Sequence, residues 1–161
     1  MWSPNPVVNG TLRWVVASTS AVSGFSAVCW WNAVHMSDEL NNAVPIGLIG
    51  NYWGGTAIER WLSPQVYNAS GCAGQSSAAD NKATIFNVMV YPFIPMALKS
   101  MYWYQGEANG GAPDYYKCIL PKFVEDYRTL FDSGTARFYF FLDFYEFLDR
   151  HAFHFRSTGA H

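Results

Sequence analysis

Apolar residues fall at helical spacing over 25–40, where Phe25, Val28, Cys29, Ala33, Met36 and Leu40 share a face and Asn41-Asn42 closes the run. A stronger stripe follows Asp114, which the pattern makes the helix cap. Tyr115, Ile119, Phe123, Val124, Tyr127 and Leu130 repeat at three- and four-residue steps. Residues 45–49 are continuous rather than periodic, short and bounded by turn residues, the pattern of a central parallel strand covered on both faces. Residues 99–104 form a second β-rich run, and 12–17 and 137–144 read as further strands. Residues 56–62 read as a short helix and 67–81 as a loop of small residues. Over 85–98 the pattern is mixed, and Pro92 and Pro95 limit any helix. Strand, helix, strand, helix in this order predicts an α/β chain with an open parallel sheet, in one domain and without internal repeats.

Composition supports a packed body. Half of the 161 residues are hydrophobic (50%) and 18% are aromatic, so a core is affordable and disorder is not expected. Only 14% are charged, a low share that suits part of a larger body better than a free-standing small domain. Ten basic residues face twelve acidic ones with no Lys/Arg run, so a nucleic-acid partner has no electrostatic support. Met1-Trp2-Ser3-Pro4-Asn5-Pro6 has neither a basic region nor an apolar run, so no signal peptide is expected there. No stretch has the length of a membrane span. Cys29, Cys72 and Cys118 lack CxxC spacing, which argues against a zinc ribbon or a thioredoxin motif and leaves their pairing open. Two glycosylation triplets occur, Asn9-Gly10-Thr11 and Asn68-Ala69-Ser70, a common pattern that alone says little about a secretory route.

Candidate chemistry lies in the loops after the two best strand candidates, because ligands of open α/β sheets bind beyond the carboxyl ends of strands. The first loop, Asn51-Tyr52-Trp53-Gly54-Gly55-Thr56, has paired glycines that let backbone approach a ligand and present N–H groups to developing negative charge. The second runs from Trp103 through Gln105-Gly106-Glu107-Ala108-Asn109 to Gly111. A Gln amide just past a strand end is a neutral donor suited to an oxyanion, and Gly106 clears space for substrate. Taken singly, each loop is equally well a tight turn.

Together with their flanks the loops are more specific. Phe25-Ser26-Ala27-Val28-Cys29-Trp30, Val44 to Ile49, Trp53-Gly54-Gly55-Thr56 with Glu59 and Trp61, and Trp103 to Asn109 occur in that order. Phe86-Asn87-Val88-Met89, then Cys118 to Pro121 and Glu125-Asp126-Tyr127-Arg128, continue it. This order resembles the sialate O-acetylesterase family of SGNH-type hydrolases over residues 14–128, with 129–161 divergent. The resemblance implies a flavodoxin-like three-layer α/β/α sandwich with a parallel sheet, here incomplete. It implies removal of acetyl groups from O-acetylated sialic acids or a related acetylated sugar, by a Ser nucleophile, a His base oriented by Asp, and an oxyanion hole. No cofactor is implied. Carried over by position, Gly55 is the backbone oxyanion donor and Gln105 the side-chain donor, with Gly54, Thr56, Gly106 and Glu107 at the substrate. Trp61 and Trp103 would be structural or pocket residues. Full-length members are expected to be lysosomal or secreted.

Two departures accompany the match. The family's nucleophile lies in a Gly-Gln-Ser-Asn-Met stretch upstream of the Phe-Ser-Ala-Val-Cys-Trp segment, and its Asp and His lie in an Asp-x-x-His block well after Gln-Gly-Glu. This chain matches neither, so a single partial domain over 1–161 is expected, with little turnover of its own. Gly74-Gln75-Ser76 imitates the nucleophile motif but sits between the two loops and continues as Ser77-Ala78. Asp149 with His151 or His154 imitates a triad pair at the wrong spacing. His35, inside the first amphipathic helix, is expected to be a satisfied structural histidine. The alternative to a partial esterase is a non-catalytic carbohydrate-binding or interaction module derived from the same family.

Overall fold

The computed structural model describes residues 14–72, 83–94, 96–131 and, for backbone alone, 137–141. Four α-helices occur among them: α1 (Thr19–Val22), α2 (Ala27–Glu39), α3 (Pro64–Ala69) and α4 (Pro113–Leu130). Two strands, β1 (Ser100–Tyr104) and β2 (Arg137–Phe141), pair in parallel, with Ser100 opposite Arg137 and Tyr104 opposite Phe141. Parallel neighbours need a crossover, and α4 supplies it, so β1, α4 and β2 form one βαβ unit. This is α/β construction. The described residues hold these two strands and no three-layer sandwich.

α4 forms because its apolar positions make one stripe. Tyr115, Tyr116, Ile119, Leu120, Phe123, Val124 and Tyr127 are all buried. Its start differs from expectation: Ala112 is the N-cap and Pro113 takes the first helical position, leaving Asp114 in the first turn rather than at the cap. Proline belongs there, because its fixed φ suits the helix and its missing N–H would have no helical acceptor. Pro121 is exposed, so the Lys117 carbonyl that loses its helical donor lies where water reaches it.

The core is an aromatic row laid along this stripe. Trp103 and Phe123 have ring centroids 4.3 Å apart, and Phe123 and Tyr127 4.2 Å. Phe86 meets Tyr127 edge-on at 6.3 Å, and Trp61 meets Trp103 edge-on at 5.8 Å. Tyr127 also donates from its hydroxyl to the Trp61 carbonyl at 2.6 Å, tying α4 to the segment before α3. Phe86 lies in a π-helical turn, Phe86–Val90, followed by the 3-10 turn Tyr91–Phe93, so the mixed pattern around Pro92 resolves into short irregular turns. The expected loop over 67–81 starts inside α3, whose Ser63 cap accepts from the Val66 N–H and whose first residue is Pro64. Residues 73–81 of that loop lie outside the described residues.

The N-terminal third departs most from expectation. α2 occupies the predicted stretch, Ser26 accepts from the Cys29 N–H to cap it, and Asn41 and Asn42 end it with φ of 52° and 56°. Yet only Ala33 of α2 is buried, and none of its residues joins the main core. His35 is exposed rather than enclosed. Trp14 to Ala17 is irregular and exposed where a strand was expected, and Leu12 and Arg13 lie outside the described residues. Residues 45–49 likewise form no ladder. An apolar run is a local property, whereas a strand needs a neighbour for its N–H and C=O groups. No described segment supplies one. Of the strand expected over 137–144, Arg137–Phe141 is present and 142–144 lie outside the described residues.

Cys72 and Cys118 form a disulfide across 46 residues, joining the segment after α3 to α4. Cys29 is the remaining thiol, and partial burial raises its pKa, which keeps it protonated and unreactive near neutrality. In the chain-entropy account, closing a loop of this length stabilises the folded state by about 4 kcal/mol. Replacing both cysteines by Ser is therefore expected to lower unfolding free energy by up to about that amount in urea titrations. Reductant should reproduce the loss in the unaltered chain and leave the double variant unchanged.

Candidate active site

The two candidate loops meet, and a buried side-chain amide joins them. The first loop turns at Gly55, where φ is +71°. Gly54 and Gly55 are exposed, and a Cβ on either would meet nothing within 4 Å, so open space lies over this backbone. Immediately after, the chain dives: Thr56, Ala57, Ile58 and Glu59 are all buried. The Thr56 hydroxyl donates to the Trp53 carbonyl at 2.7 Å and accepts from Trp61 Nε1 at 2.9 Å, closing the loop on itself. Ala57 precedes the 3-10 turn Ile58–Arg60 and offers no side chain to cap it.

The missing cap comes from the second loop. β1 ends at Tyr104, and Gly106, buried at φ 155°, swings the chain into the 3-10 turn Glu107–Asn109. Asn109 is 1% exposed. Its Oδ1 accepts from the Ile58 N–H at 2.9 Å and from Gln105 Nε2 at 2.8 Å, and its Nδ2 donates to Glu59 Oε2 at 2.9 Å. Gln105 Nε2 donates a second time, to the Thr56 carbonyl at 3.1 Å. The residue after Gly55 is thus bonded directly to the residue after β1. Both Gln105 N–H bonds point at protein acceptors, while its buried Oε1 has no hydrogen-bond partner among the described residues.

Beneath this network the strand end is fixed by α4. Tyr116 accepts from Trp103 Nε1 at 3.3 Å and donates to the Gln105 carbonyl at 3.0 Å. Burial pushes the Tyr116 hydroxyl up to about 12, partly offset by the Trp103 hydrogen bond, so it remains a donor at physiological pH. The Gln105 backbone is therefore held by α4 and its side chain by the two loops.

Of the residues expected at the site, Gly55 and Gln105 come together through Thr56. Gly54 lies on the open rim, and Glu107 is exposed at the start of its turn. Thr56 is 6% exposed with protein partners for its hydroxyl and its carbonyl, and Gly106 is buried. Trp61 and Trp103 are buried in the core, their rings meeting edge-on. Gly74-Gln75-Ser76, Asp149, His151 and His154 lie outside the described residues. No group of three or more His, Cys, Asp or Glu among the described residues is arranged to hold a metal ion. Asn109 and Glu59 are what sequence reasoning quoted without giving a joint role. The available signal was a carboxylate, Glu59, in a 57–62 segment that is apolar apart from it and Arg60, together with the last polar residue of the second motif.

Removing the Asn109 side chain strips a partner from buried Ile58 and Glu59 and from half-buried Gln105 at once, so Asn109→Ala is expected to cost on the order of 3 kcal/mol. Asn109→Asp keeps the acceptor for Ile58 and Gln105 but sets a carboxylate against Glu59, and should destabilise strongly at neutral pH. Adding Glu59→Gln restores a donor facing that oxygen with the hydrogen bond reversed. The double variant should recover more than half of the single variant's loss in chemical denaturation; recovery of nothing would contradict the network.

Comparison with known proteins agrees with this arrangement of motifs. A family described as carbohydrate esterase, sialic acid-specific acetylesterase, matches residues 11–140, extending beyond the 14–128 expected from the motifs and taking in most of β2. Sialate O-acetylesterases from Pongo abelii and Homo sapiens are each 40% identical to this chain over 126 residues, covering 71% of it and 24% of their own length. The Mus musculus sialate O-acetylesterase is 31% identical over 144 residues, covering 68% of this chain and 26% of its own length. The chain thus spans about a quarter of the length of these curated relatives. With motifs in family order, and a family match over residues 11–140, the chain belongs to the sialic acid-specific acetylesterase family of carbohydrate esterases.

Proposed function

We propose that this chain carries the oxyanion side of a sialate O-acetylesterase site, at which an acetyl ester on a sialic acid or related acetylated sugar is hydrolysed. The observation that carries the reading is the Gln105 Nε2 bond to the Thr56 carbonyl, at the carboxyl end of β1 and next to Gly55. Attack on an acetyl carbonyl builds negative charge on its oxygen, and fixed N–H donors stabilise that charge where it develops. Gly55, exposed with open space above it, supplies a backbone N–H. Gln105 contributes by turning toward the oxyanion the N–H now given to Thr56, the longer of its two bonds. Asn109 keeps the other N–H and so the orientation of the amide. Gly54 and Glu107 face the substrate, while Thr56 and Gly106 set the backbone course behind them.

In this reading residues 1–161 are one partial domain of an SGNH-type α/β/α sandwich. The apolar 45–49 segment, which forms no ladder among the described residues, would become a strand once neighbours from the rest of that sandwich pair with it. The Ser nucleophile and the His–Asp pair belong to family segments that this chain does not match. The Cys72–Cys118 disulfide suits a lysosomal or secreted protein. A second reading, a carbohydrate-binding module without catalysis, draws support from Trp53, Tyr52 and Tyr104. These belong to the two loops and are 64%, 52% and 52% exposed, as rings that stack on sugars are.

A chimera separates the two. Residues 14–128 of this chain replace the matching segment of the Homo sapiens sialate O-acetylesterase. The esterase reading predicts hydrolysis of O-acetylated sialic acid by the chimera, and a fall in kcat of about 10²–10³ on Gln105→Ala. The isolated chain should release no 4-nitrophenol from 4-nitrophenyl acetate above a buffer blank. A folded but inactive chimera, or one indifferent to Gln105→Ala, would contradict the reading; sugar binding without turnover by both proteins would favour the module.

A further inference from the structure

We infer that Asn68 is an N-glycosylation site, bearing an oligosaccharide through its side-chain amide. The triplet Asn68-Ala69-Ser70 has the required order, with no proline at its centre. Structure adds what the triplet alone lacks. Asn68 and Ala69 are exposed in the last turn of α3, whereas the preceding Tyr67 is buried at 6% and Val66 packs against the core. The helix therefore turns its core face away from Asn68, and a bulky substituent there displaces no packed side chain. Ser70 follows as the helix C-cap, with its hydroxyl accepting from the Cys72 N–H at 3.4 Å.

A second observation, independent of the triplet, gives the compartment. Two residues beyond Ser70 begins the Cys72–Cys118 disulfide, which closes between α3 and α4. Disulfides of this kind form and persist in an oxidising secretory lumen, where oligosaccharide transfer to nascent chains also occurs. The inference thus rests on the disulfide and the exposed helix end, and stands whether or not the esterase reading holds.

The covalent step balances without a redox partner. The donor is an oligosaccharide carried on a lipid diphosphate. Asn68 Nδ2 forms a bond to the anomeric carbon as the bond from that carbon to the diphosphate oxygen breaks. The amide gives up one proton and the lipid diphosphate leaves. Transfer acts on the unfolded chain, so it precedes the closing of α3, and the exposed position lets the glycosylated chain then fold. The hydrated sugar covers one end of α3 beside the disulfide, adding polar surface to a chain with only 14% charged residues.

The full chain is expressed behind a cleavable leader in cultured eukaryotic cells, and only leader-cleaved molecules are counted, on denatured samples so that solubility does not matter. Peptide N-glycosidase converts a glycosylated Asn to Asp, which mass spectrometry reads at residue 68. We expect occupancy in the majority of molecules, loss in both Asn68→Gln and Ser70→Ala, and retention in Ser70→Thr. An unmodified Asn68 in leader-cleaved chains overturns the inference, and so does modification that persists in Ser70→Ala.

Discussion

Asn109 Oδ1 accepts hydrogen bonds from two donors 51 and 4 residues away in sequence, inside a space that its own 1% exposure marks as closed to water. Much of the site depends on that one amide. The Ile58 N–H would otherwise be a helix-start donor buried without an acceptor, and Glu59 a buried carboxylate short of a donor. Gln105 would have one fixed bond rather than two. Because a buried polar group that loses its partner pays its full desolvation cost, each of these bonds fixes position more firmly than its net energy suggests. The open Gly54-Gly55 backbone is thereby anchored one residue later, at Thr56, against the end of β1.

Packing reinforces the same point from below. The aromatic row from Trp61 through Trp103, Phe123 and Tyr127 is tied to the network by Trp61 Nε1 on Thr56, and Tyr116 holds the Gln105 backbone while Asn109 holds its side chain. The Cys72–Cys118 bridge restrains the segment after α3 against the same helix. The main core among the described residues therefore lies between Ile58 and Phe131, the part that begins just after the first loop and carries the second. α2 and the 45–49 run stand outside this core, with Trp31 of α2 61% exposed and Ile46, Leu48 and Ile49 only half-buried.

What the sequence made legible follows the range of the forces involved. α4 and β1 were readable because periodicity and β-rich composition are local, and α4 buries the whole stripe its spacing predicted. Its cap was misread, since Asp114 is a good capping residue by type while Pro113 claims the first helical position by its fixed φ. The 45–49 strand failed for the opposite reason: its apolar character is local but its hydrogen-bond partners are not. Likewise the three cysteines gave no pairing by spacing, because pairing depends on where α3 is carried relative to α4. The motif loops could be found by their order along the chain. The role of Asn109 could not, because it exists only once Ile58 and Glu59 are folded against it.

Amide hydrogen exchange at Ile58 tests this central constraint most directly. Its N–H has no carbonyl acceptor in a helix or sheet; its acceptor is Asn109 Oδ1. The account predicts that Ile58 exchanges far more slowly than the exposed Gly54 and Gly55 amides in the folded chain. It also predicts that Asn109→Ala removes this protection while the amides of α4 keep theirs. An Ile58 amide that exchanges as fast as Gly54 and Gly55 in the unaltered, folded chain would contradict it.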